Sequence, residues 1–154
     1  MTFEIRRASS KDAAACAAIV NDWIDAKDWL PRQHSPQAIE EMIRVGIPVR
    51  EFWVAGDPIQ GYLSFNTEAN QIMGLYTALP GNGVGKALMD RVKEGRDWLQ
   101  LWSHAANTTA HAFYRREGFV EVGRKESGVD GIPEIRMEWH KDVQRHELRA
   151  QKAE

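Results

Sequence analysis

The stretch "TALPGNGVGKALMD", residues 77–90, sets Gly81, Gly83 and Gly85 within five positions and follows them with Lys86. Glycines at this density let backbone N–H groups approach a ligand closely, and the chemistry they suit is the binding of phosphate oxygens. Two familiar phosphate loops are excluded by spacing. A P-loop needs four residues between its first glycine and Gly-Lys, then a hydroxyl for magnesium. Here Asn82, Gly83 and Val84 alone separate Gly81 from Gly85-Lys86, and Ala87 follows. The dinucleotide pattern fails because Lys86 stands where its third glycine belongs. What remains is a turn rich in N–H donors leading into a helix start, which binds phosphate without a metal. The same glycines would also serve an ordinary tight turn that needs positive φ.

The elements that would position this loop can be read from periodicity and breakers. "FEIRRA" (3–8) predicts a strand, and Ser9 or Ser10 caps a helix through "DAAACAAIVNDWIDAKDW". "LPRQHSP" breaks it, and "SPQAIEEMIRVG" restarts with a serine N-cap, proline at the first position and Gly46 as the stop. "EFWVAG", "IQGYLSFN" and "QIMGLYTAL" form a three-strand meander. The helix after the glycine loop carries Val84, Leu88 and Val92 on one face. "WLQLWS" is a strand, "NTTAHAFYRREG" a helix capped by Asn107 and ended by Gly118, and "FVEVGRKE" and "IPEIRMEW" are closing strands. The order βααβββαβαββ defines a mixed α/β layer fold. Residues 1–140 read as a single domain and 141–154 as a charged C-terminal extension.

Composition narrows the function classes. A chain of 154 residues with 43% hydrophobic and 27% charged residues has an ordinary globular profile, expected in the cytoplasm, with no secretory signal and no membrane segment. Net charge is −2 and the basic residues form no aromatic-interleaved stripe, so no nucleic-acid surface is expected. The single cysteine, Cys16, in "AAACAAIV", reads as a small buried helix residue and excludes an internal disulfide. No carboxylate–histidine cluster has metal spacing, so no metal is expected. Trp53, Trp98, Trp102 and Trp139 fall on strands and read as core.

Two blocks in order, "LYTALPGNGVGKALMD" and "LWSHAANTTAHAFYRREGF", resemble the Gcn5-related N-acetyltransferase (GNAT) superfamily. Gly83-Val84-Gly85 match its loop, and Asn107, Ala110, Phe113, Tyr114, Gly118 and Phe119 match its second block. The resemblance runs from "IRRASSKDA" to "EIRMEW". One departure is Pro80, where the family pattern has arginine or glutamine.

The resemblance implies an acyl-CoA N-acyltransferase fold: a central, mostly antiparallel sheet with a parallel splay of strands four and five, and helices on both faces. It implies acetyl transfer from acetyl-CoA to a primary amine, expected to be a small molecule, by direct attack through a tetrahedral intermediate. Asn82, Gly83, Val84, Gly85, Lys86 and Ala87 would hold the pyrophosphate, and Leu75, Tyr76 and Thr77 the pantetheine arm. Asn107 would cap its helix and contact the arm, and Tyr114 would protonate the leaving thiolate. No general base stands out: Glu68, His34, His104 and a water chain all remain open. Trp29, Arg32 and His34, in the connection between the first two helices, would line the acceptor pocket, with Arg32 on a carboxylate. Homodimers are common in the family. A second reading keeps the cradle in a non-catalytic acyl-CoA-binding or protein-interaction domain.

Overall fold

The computed structural model describes residues 3–128 and 131–141, and the chain divides after Val92 into two compact units. The first holds β1 (Ile5–Arg7), α1 (Ala13–Asp25), α2 (Pro36–Gly46), β2 (Glu51–Ala55), β3 (Gly61–Asn66), β4 (Gln71–Thr77) and α3 (Val84–Lys93), whose last residue crosses the division. The second holds β5 (Trp98–His104), α4 (Thr108–Arg116), β6 (Val120–Lys125) and β7 (Glu134–His140). This is the element order expected from the sequence. The extension expected at 141–154 lies, beyond Lys141, outside the described residues.

In the first unit β1, β2, β3 and β4 form an antiparallel meander. Successive strand side chains alternate between faces, so Phe52, Val54 and Tyr62 turn to one side. There they pack with Ala13, Cys16, Ala17 and Val20 of α1, with Ile43 within α2 and with Ile47 just after it. On the opposite side α3 seats against the sheet: Val84, Leu88 and Val92 are fully buried, as their spacing predicts. Removing the Leu88 side chain from such a core would cost about 2–5 kcal/mol.

Capping chemistry sets the helix starts. The Ser35 hydroxyl accepts from the Ala38 N–H at 3.1 Å, and Pro36 occupies the first helical position. Before α1, a 3-10 turn at Ser10–Asp12 is fixed by Ser9, whose N–H donates to Asp12 Oδ2 at 2.8 Å. Helix α1 ends at Asp25, four residues short of the expected end, because the Lys27 N–H turns back to the Ile24 carbonyl and the chain winds down ahead of Pro31. Gly46 is not the left-handed stop expected. It is helical and buried, Ile47 follows in the same conformation, and the chain leaves through a turn in which the Arg50 N–H donates to the Gly46 carbonyl.

The second unit is a three-stranded antiparallel ladder, β5–β7–β6, with α4 joining β5 to β6. Leu99, Leu101, Ile135, Met137 and Trp139 are buried on one face. Of the four strand tryptophans expected in the core, Trp139 alone is buried there. The others are not fully buried, and cations cover two of the rings: Arg7 and Arg91 stand 5.3 and 5.0 Å from Trp53, and Lys125 stands 4.2 Å from Trp102. Trp98 stacks on His140. An indole offers a face that a guanidinium or ammonium can cover, so a strand position alone does not bury it.

Candidate active site

The glycine loop belongs to the first unit and links β4 to α3. Gly81 and Gly83 have φ of +80° and +86°, and a Cβ at either would meet nothing within 4 Å. The left-handed backbone requires glycine at both positions, and the open space beside them leaves room for a bound group. The Asn82 carboxamide folds over the Val84 N–H at 3.3 Å, and the first helical bond runs from the Ala87 N–H to the Gly83 carbonyl. The start of α3 leaves first-turn amides, that of Gly85 among them, without an intrahelical acceptor. The helix dipole adds partial positive charge there. Lys86 reaches along its own helix to Asp90 at 3.3 Å, an exposed pair that binds it weakly. These residues fit a diphosphate: donors, dipole and space coincide, and no acidic side chain stands among residues 80–87.

The strand leading into this loop is irregular. Opposite β3, Gly74 pairs with Ser64 and Ile72 with Phe65, so Met73 is an extra residue, a β-bulge. Bulges bend a strand and re-aim the residues beyond them. Leu75, Tyr76 and Thr77 follow, paired with Leu63, Tyr62 and Gly61. The Tyr76 ring folds back over Gly74, where a Cβ would come within 2.9 Å of it. A tilted and edge-on aromatic series runs from Trp29 through Trp23 and Tyr76 to Tyr62, at centroid separations of 6.1, 5.2 and 5.5 Å. Burial pushes the phenols of Tyr62 and Tyr76 above their usual pKa, so both stay protonated.

The helix-connecting loop has a different character from that expected. Arg32 donates to the Asn21 side chain at 2.9 Å, to the Asp25 carboxylate at 2.8 Å and to the His34 carbonyl at 3.1 Å. The guanidinium thus clamps the loop onto the end of α1 and already faces a carboxylate, that of Asp25. Trp29 packs edge-on against Trp23, and His34 is exposed. Glu68, in the β3–β4 turn, is exposed as well.

In the second unit Asn107 caps α4, its Oδ1 accepting from the Ala110 N–H at 3.4 Å. Gly118, at φ +98°, ends the helix as expected. Tyr114 is 9% exposed and is held by Phe113 and Phe119, with centroids 5.5 and 5.7 Å away. His104 ends β5 half-buried. His111, not singled out from the sequence, is buried, and its Nε2 donates to the His104 carbonyl at 3.0 Å and ties α4 to the end of β5. Burial lowers its pKa and keeps the ring neutral. Its place three residues before Tyr114 on the buried side of α4 was the available signal. Cys16 is buried and its thiol is pushed up to about 12, so it is chemically inert. Among the described residues no group of three potential ligands could hold a metal ion, and no helix is long and apolar enough to cross a membrane.

An α/β fold with a glycine-rich loop opening onto a helix start describes a protein able to hold a diphosphate-bearing ligand. Residues 8–141 match the family described as the acetyltransferase (GNAT) domain, and the chain belongs to that family. It is therefore an acetyltransferase, with acetyl-CoA as co-substrate. It is 27% identical to the peptidyl-lysine N-acetyltransferase YjaB of Salmonella typhimurium, over 86% of this chain and 94% of that protein. The solution structure of apo-form YjaB from Escherichia coli matches with a TM-score of 0.74 at 24% identity, covering 90% of this chain and 98% of that one. A phosphinothricin acetyltransferase from Sinorhizobium meliloti, solved with acetyl-CoA, matches with a TM-score of 0.71 at 16% identity, covering 91% and 89%. The mixed α/β acyltransferase fold expected from the sequence is the fold these chains share.

Proposed function

We propose that the chain moves the acetyl group of acetyl-CoA to the primary amine of a small molecule, with Asn82 to Ala87 holding the pyrophosphate and Leu75 to Thr77 the pantetheine arm. The left-handed pair Gly81 and Gly83, set ahead of the α3 helix start beside open space, is the observation that carries this reading. Pro80 contributes no N–H and no side-chain donor, so affinity rests on the amides that follow it.

The bound thioester supplies an activated acetyl carbonyl. The neutral acceptor amine attacks its carbon; the N–C bond forms and the C–S bond breaks. The surplus proton on nitrogen passes to water, and the Tyr114 hydroxyl gives its proton to the departing sulfur and regains one from solvent. Acids placed in this way contribute roughly 10²–10⁴ in rate. Asn107 adds a contact to the arm while capping α4.

A lysine side chain of a protein is the second acceptor reading, favoured by the name of the YjaB relatives. Release of free CoA thiol from acetyl-CoA, measured across small amines and lysine peptides, tests both. Turnover with small amines supports the first reading, turnover with peptides alone the second, and release with no acceptor removes both.

A further inference from the structure

Beneath α2 the first unit contains a cavity of about 250 Å³, floored by Phe52, Tyr62 and Tyr76 of the sheet and walled by Ile39, Met42 and Ile43 of the helix. It lies below the roughly 300–1,000 Å³ of drug-sized pockets and suits one large apolar side chain. Met42 and Met73, at its lining, are 55% and 43% exposed, so the opening is apolar as well. The β4 bulge creates this shape. Met73 and Gly74 are consecutive yet both line the space, and the missing Gly74 side chain admits the Tyr76 ring.

Besides the two phenols, this lining has two polar side chains, those of Ser64 and Arg50. Ser64 is 4% exposed, and its hydroxyl has no hydrogen-bond partner. A buried hydroxyl left so costs about 1–3 kcal/mol. Arg50 is exposed, is the one charged residue of this lining, and makes no side-chain hydrogen bond or ion pair among the described residues. No acidic residue lines the cavity, so it suits an anion and does not suit an ammonium.

We propose that this cavity takes the apolar side chain of an α-amino acid acceptor, with Arg50 on the acceptor carboxylate. The amine then lies outside the cavity, toward Tyr76, the residue shared by the cavity lining and the β4 segment assigned to the cofactor arm. This inference rests on the acetyl-transfer reading above and names its substrate class. The products are an N-acetylamino acid and free CoA thiol.

The test is thiol release at saturating acetyl-CoA with L-phenylalanine and L-methionine, their amides, L-alanine, L-glutamate and a lysine peptide. The two apolar acids should exceed their amides, alanine and glutamate in kcat/KM by about tenfold or more, the value of one charge-assisted contact. Arg50→Ala, at an exposed position, should raise KM for phenylalanine by a similar factor and leave phenylalaninamide unchanged. N-acetyl-L-phenylalanine titrated into the isotope-labelled protein should shift the Ser64 and Gly74 amides whether or not turnover occurs. Equal rates for acid and amide, an unchanged KM in Arg50→Ala, or turnover of the lysine peptide alone would overturn the inference and leave acetyl transfer standing. Absence of saturable acetyl-CoA binding would remove acetyl transfer itself.

Discussion

Val84 occupies the space that a side chain on Gly61 would need: a Cβ there would lie 2.7 Å from Val84 Cγ1 and 2.9 Å from the Tyr76 carbonyl. The first residue of α3 thus rests directly on the backbone of β3, and this contact aims the helix start. Gly61→Ala forces that contact apart. We expect a loss of about 1–3 kcal/mol in urea unfolding, the range for an overpacked core. Acetyl-CoA affinity should weaken in the same variant, read by calorimetry. Full affinity would detach the loop from the seat of its helix.

Tyr114→Phe keeps the ring between Phe113 and Phe119 and removes the hydroxyl. Turnover should fall by about 10² or more with little change in KM or melting temperature, since the loss is of a proton donor. A variant with unchanged kcat would return Tyr114 to the core as a packing residue.

Arg32 is held by Asn21, His34 and Asp25, so its removal should act on stability. Arg32→Ala is expected to cost up to about 1 kcal/mol, because the pair to Asp25 is exposed on the carboxylate side. Acceptor KM should not change. A large KM increase with unaltered stability would restore the substrate role that its position in the loop suggests.

Asp12 receives both guanidinium nitrogens of Arg6, at 2.8 and 2.9 Å, and the Ser9 N–H. The Arg6 hydrogen bonds foremost, against the opposing effect of burial, lower its pKa to about 2 from 3.8. The folded carboxyl therefore binds a proton less readily than the unfolded one. Its contribution, up to about 2 kcal/mol, is present above pH ~4 and fades as pH falls toward 2. Asp12→Asn should lower stability at pH 7 and flatten the acid limb of a melting-temperature profile. An unchanged acid limb would place the stabilisation elsewhere.

The parts of this architecture that depend on local rules were legible in the sequence. Ser35 and Asn107 cap where their side chains and the following apolar spacing say they should, and Val84, Leu88 and Val92 bury as one stripe. The glycine loop was legible too, because positive φ at Gly81 and Gly83 is a property of residue type. The Met73 bulge was not, since it arises from register against β3 and leaves no mark in β4 alone. The cavity beneath α2 follows from that bulge, so Ser64 and Arg50 drew no attention. The contacts of Arg32 were not legible for the same reason: its partners Asn21 and Asp25 lie 11 and 7 residues away on α1, and the fold brings them to it.

Calorimetric titration of acetyl-CoA into the purified chain and into Gly83→Ala tests the central claim most directly. The wild-type chain should give a saturable one-site isotherm. The variant should bind about 5–30-fold more weakly, since a left-handed non-glycine residue costs roughly 1–2 kcal/mol and distorts the amide cradle. Equal affinity in the two proteins, or no saturable heat in either, would contradict the assignment of this loop to the diphosphate.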